Sequence, residues 1–167
     1  MSLEKYPLNI VILSNLLSVL IYATGIFILQ HIGWWLAGLY VVYILLFEIR
    51  LLKYHCPNCY YYGKICAFGK GKISSMFFKK GDPKKFTCKT IGIRDLVPDI
   101  LVFAIPAIAG LVWIILDFEW PVLIALVLLV LLNFSGNAYV RGQLACNNCK
   151  QKDIGCPALE FFNSSQP

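Results

Sequence analysis

Four long apolar runs decide what this 167-residue chain can fold into. They are LNIVILSNLLSVLIYATGIFILQ (about 8 to 30), GWWLAGLYVVYILLFEI (about 33 to 49), DILVFAIPAIAGLVWIIL (about 99 to 116) and PVLIALVLLVLLNFSGNAYV (about 121 to 140). Crossing a bilayer's hydrocarbon core takes roughly 20 apolar residues at the helical rise, and each run holds at most one charge, placed at its end. A water-soluble fold would have to cover all four with the remaining chain. That chain is too short and too apolar, since 59% of the residues are hydrophobic and only 14% charged, against about 25% charged in soluble domains. The expectation is an all-α integral membrane protein. The first run is longer than the roughly 7 to 15 apolar residues of a secretory signal, lacks a preceding basic cluster and is followed at once by a second run, so it reads as a mature helix.

Lys and Arg accumulate on the cytoplasmic side of membrane proteins. Lys5 precedes the first run, eleven basic residues from Arg50 to Arg94 separate the second from the third, and Arg141, Lys150 and Lys152 follow the fourth. The two short turns, QHIGW and DFEWP, hold none of the fifteen. This asymmetry predicts a multi-pass protein of the cell membrane with both termini and the middle loop in the cytoplasm. The expected organisation is a transmembrane hairpin over 1–52, a basic cysteine-containing loop with an interfacial segment over 53–95, a second hairpin over 96–140 and a cysteine-containing tail over 141–167.

Within those basic segments one phrase is written twice. CPNCYYYGKIC (56–66) and CNNCKQKDIGC (146–156) both read C-x2-C-x6-C, both follow a span and a basic residue, and both precede a Phe pair, Phe77–Phe78 and Phe161–Phe162. Span, turn, span and cassette therefore recur in the same order, as in an internal duplication. Two hairpins side by side would deliver both cassettes to one membrane face. All seven cysteines, Cys56, Cys59, Cys66, Cys88, Cys146, Cys149 and Cys156, fall on the predicted cytoplasmic side, where thiols stay reduced, so metal binding is expected in place of a disulfide framework.

A C-x2-C turn brings two sulfurs within reach of one ion, its backbone N–H groups can donate to them, and a third cysteine can fold back onto the same centre. Thiolates suit zinc and iron–sulfur clusters. The repeated spacing resembles that of fungal binuclear zinc clusters, in which six cysteines hold two zinc ions; the resemblance is confined to the cassettes and implies no nucleic-acid binding. In a second scheme Cys56, Cys59, Cys146 and Cys149 share one ion. In a third each triad holds its own centre, with Cys88 or His55 completing the first. The second triad then lacks a fourth ligand, which favours sharing. Zinc is the favoured metal. An iron–sulfur cluster is the alternative, since GCP at 155–157 is similar to the Cys-Pro ending of ferredoxin-type motifs, although the spacing differs. A dithiol redox site fits less well, because no βαβ pattern surrounds CPNC and the third cysteine would be unused.

The basic loop over 70–94 mixes Ile73, Met76, Phe77 and Phe78 with lysines, the composition of a segment lying among anionic lipid headgroups. Among charged groups near the spans, Glu48 is expected to pair with Arg50 or Lys53, and Asp95 and Asp99, one turn apart, to meet Arg50 or Arg141. Pro106 is a candidate kink. No charged track crosses the spans, and no nucleotide loop, Ser/His/Asp set or HExxH motif appears, so the reading leans away from an enzyme. The chain reads as a scaffold or accessory subunit whose cassettes form a shared metal site that pins the hairpins and presents a docking face to a protein partner. An iron–sulfur electron-transfer subunit and a protein that transports or senses soft metals are the alternatives.

Overall fold

The computed structural model describes residues 2–82 and 93–156, with only the backbone of residues 93 and 94. Cys88 and the Phe161–Phe162 pair lie outside the described residues. All regular structure among the described residues is helical, and four helices are long and apolar enough to cross a membrane.

Helix α1 (Leu8–Ile32) begins after Pro7, whose fixed φ suits a helix entrance. Its 25 residues extend for about 37 Å, enough to cross a core of roughly 30 Å. Helix α2 (Trp34–Arg50) continues through a π-helical turn, Leu51–His55, and a 3-10 turn, Cys56–Asn58. A short helix α3 (Lys70–Phe77) follows. Helix α4 (Ile93–Leu116) carries Pro98 and Pro106 within it, and α5 (Trp120–Leu131) runs on as a π-helix, Leu132–Cys146. The five-residue α6 (Lys150–Ile154) comes last.

Helix α1 is the centre of the bundle, packing on α2, α4, α5 and the π-helix beyond it. Leu17, Ile21 and Ile28 interlock with Val122, Ala125 and Leu129 of α5 and with Val140, while Leu29 meets Ala37, Tyr40 and Ile44 of α2. Lipid gives membrane helices no hydrophobic reason to associate, so close approach at small residues matters more. A Cβ on Gly110 would come within 2.8 Å of Ile28, and one on Gly136 within 2.8 Å of Leu17. The outward faces remain greasy, with Leu39, Leu46, Ile108 and Ile124 exposed.

Pro106 lies inside α4 without interrupting it. Proline lacks the N–H that would bond the carbonyl four residues earlier, here that of Val102. Tyr40 of α2 donates its hydroxyl to that carbonyl at 2.7 Å. Gly25 on α1 leaves room for the phenol, since a Cβ there would stand 2.8 Å from Tyr40 Oη. Three helices thus meet at one proline, and the freed backbone acceptor is satisfied by a neighbour, as a membrane interior requires.

The two short turns occupy the same end of the bundle, where His31 Nδ1 lies 3.1 Å from Glu119 Oε2. Trp34, Trp35, Phe118 and Trp120 are exposed around them, an arrangement suited to an aromatic belt at a membrane boundary. The opposite end carries the cassettes.

Candidate metal centre

Both cassettes grow out of a helix that widens before it stops. The Cys56 N–H donates to Leu51 O and the Asn147 N–H to Gly142 O, each five residues back. The two C-x2-C turns then close alike. The Cys59 N–H reaches Cys56 O at 3.3 Å and the Cys149 N–H reaches Cys146 O at 3.1 Å; three residues on, Tyr62 and Lys152 donate to Cys59 O and Cys149 O at 3.0 and 3.1 Å. Cys59 (φ −83°, ψ 152°) and Cys149 (φ −81°, ψ 123°) have the same extended backbone.

The sulfurs receive backbone N–H groups, as such turns should provide. The backbone N–H groups of Tyr61, and of Gln151 and Lys152, favour the thiolates of Cys59 and Cys149, and the Gly71 N–H donates to Cys66 Sγ at 3.4 Å. Gly71 has to be glycine for this, because a Cβ would stand 2.1 Å from Tyr61 O. Burial pushes the Cys59 thiol up to about 11 and also raises Cys149; the donated N–H groups pull both back. Metal loading at neutral pH therefore has to displace protons.

Both cassettes line a single cavity of about 320 Å³, with Cys56, Cys59 and Cys66 from the first and Cys146 and Cys149 from the second. Cys156 does not line it. All six are free thiols. Five of them line one cavity, yet among the described residues no three His, Cys, Asp or Glu side chains are grouped as a metal-binding set. His55 shares the cavity, and so do Lys70, Asp99 and Arg141.

The charged groups are paired differently from the sequence expectation in one case. Glu48 meets neither Arg50 nor Lys53. It accepts from Lys70 at 2.6 Å and from Tyr22 Oη at 2.7 Å, because the chain after the first cassette folds back over the end of α2. Arg50 instead reaches Asp95 at 3.6 Å. Arg141 donates to Ser18 Oγ at 3.0 Å and lies 5.3 Å from the centroid of the Phe68 ring.

Several residues at this end carry no sequence signal. The segment before α1 is a strap between the cassettes. The Leu3 N–H donates to Asn148 O at 2.8 Å, Leu3 O accepts from the Tyr61 hydroxyl, and the Tyr6 N–H donates to Ile65 O at 3.1 Å. Tyr6, 4% exposed, sends its hydroxyl to Ala145 O at 2.6 Å. Together with Tyr61, Ala67 and Ala145 it forms a small core outside the spans, against which Cys59, Cys66 and Cys149 pack. Gln151, also 4% exposed, crosses from the second cassette to the first: its Oε1 accepts the Tyr60 N–H at 2.8 Å and lies 3.8 Å from Cys59 Sγ, while its Nε2 donates to Gly155 O.

No family model, curated protein or solved structure matches this chain.

Proposed function

We propose that this protein is a membrane scaffold or accessory subunit made of two transmembrane hairpins, whose paired cassettes hold a thiolate-bound metal, zinc in the first instance, on the cytoplasmic side. The observation that carries this reading is the approach of five cysteines from two distant stretches of sequence to one cavity. The N–H groups of Tyr61, Gln151 and Lys152 add to it, since they favour the thiolates of Cys59 and Cys149. The fifteen basic residues, all on the cassette side of the spans in sequence, support the cytoplasmic orientation. A metal joining the ends of two hairpins would supply association energy that lipid does not. The face around the cassettes would then be fixed in shape and available to a protein partner.

An iron–sulfur electron-transfer subunit is the second reading. A cavity of about 320 Å³ offers more room than a single four-coordinate ion uses. Anaerobic purification separates the two. Colourless protein with stoichiometric zinc supports the scaffold, brown protein with iron and sulfide supports electron transfer, and protein that binds neither under loading conditions overturns both. Metal that exchanges rapidly with free chelator would point instead to handling of soft metal ions.

A further inference from the structure

Helix α3 (Lys70–Phe77) is built inside out. Its small residues face the protein: Gly71 and Ser74 are buried, and Ser74 Oγ donates to Leu52 O at 2.9 Å. Its large apolar residues face away, with Ile73 44%, Met76 73% and Phe77 74% exposed. Lys72, Lys79 and Lys80 are exposed alongside them. Lys70 is not part of this set, because it is engaged with Glu48.

Two further observations identify what covers this face. Leu52 belongs to the last turns of the candidate span Trp34–Asn58, so the bond from Ser74 fastens α3 at the depth where that span leaves the apolar layer. The charge around it is of one sign, with no acidic residue between Glu48 and Asp82. Apolar side chains ringed by lysines at the end of a span match the boundary between acyl chains and anionic headgroups.

We propose that the outward face of α3 is a docking surface for the anionic headgroup layer of the protein's own bilayer, with Met76 and Phe77 entering the acyl boundary and Lys72, Lys79 and Lys80 lying among the phosphates. The surface is joined to the cassette, since the first turn of α3 supplies the Gly71 N–H to Cys66 Sγ. It does not depend on whether a metal is bound.

The test uses the full chain in lipid nanodiscs, with a genetically encoded nitroxide amino acid replacing Phe77 so that the native thiols are untouched. Collisions with dissolved oxygen report the acyl region, and collisions with a water-soluble nickel chelate report solvent. In discs that are half phosphatidylglycerol, the label is expected to be open to oxygen and closed to nickel. Pure phosphatidylcholine discs, or the combined change Lys72→Gln, Lys79→Gln and Lys80→Gln, should shift the label toward water by tenfold or more, since each lysine contributes about fivefold near an anionic surface. Nickel access in the anionic discs overturns the proposal. Equal protection in every disc and variant also overturns it, because another segment of this chain would then be the cover. Protection that appears only when a second protein is added does the same.

Discussion

The two cassettes share one turn and differ in what supports it. The first turns at Gly63 (φ 75°) and is followed by a long return, in which Gly69 (φ 69°) turns the chain and α3 packs back on the end of α2. Pro57 is buried and Cys66 is held from α3. The second contains α6 and Gly155 (φ 126°), and its Cys146 is exposed. Its support is borrowed, from the strap at Leu3 and Tyr6 and from the first cassette through Gln151. Equal spacing in sequence therefore conceals unequal dependence: the first cassette is a framework and the second a closure laid upon it.

The strongest way to break this comparison is to remove one sulfur from each side. If the centre is shared, Cys59→Ser and Cys149→Ser should each lower bound metal per chain by tenfold or more, as measured by mass spectrometry of purified protein. A Cys149→Ser protein that keeps half its metal would show that the cassettes work separately. Next comes Gly71→Ala, which acts on the framework alone by pressing a methyl against the Tyr61 carbonyl. A cost of about 2 kcal/mol is expected, seen as a lower melting temperature with exchange protection lost in both cassettes. Gln151→Ala leaves the half-buried Tyr60 N–H without its acceptor, at about 1 kcal/mol. Here exchange should quicken around Tyr60 and α6 while the amides of α3 keep their protection.

The smallest effect concerns the strap's outer edge. The Glu4 carboxyl, exposed and 2.7 Å from Lys150, is held below its ordinary value first by that hydrogen bond and then by the lysine's charge. A depressed carboxyl stabilises the fold when ionised and loses that contribution as acid protonates it. Glu4→Gln should therefore alter the melting temperature slightly above pH 5 and leave it unchanged well below pH 4, with salt shrinking the difference.

Hydropathy was enough to locate the spans, because a helix in lipid announces itself by length and composition alone. Cysteine spacing marked both cassettes, of which Cys56, Cys59, Cys66, Cys146 and Cys149 line one cavity, while Cys156 does not line it and Cys88 lies outside the described residues. What escaped was carried by geometry between distant residues. Tyr6 and Ala145 are 139 positions apart, and no local pattern reports such a pair. The Glu48–Lys70 contact depends on a reversal that two glycines with positive φ permit. The π-helical widening before each cassette is a backbone property, and Leu132–Cys146 contains nothing that marks it. Pro106 was legible as a break in bonding, but its remedy was not, because Tyr40 looks like any other aromatic in an apolar run.

The strap also sets an order of events during synthesis. Leu3 and Tyr6 precede both cassettes, and their partners Ala145 and Asn148 are made only with the second. Until then the first cassette waits without the contacts the second supplies, so, if the centre is shared, a metal captured early would be held by an incomplete set of donors. Commitment of this end of the molecule comes only once the second cassette has been synthesised.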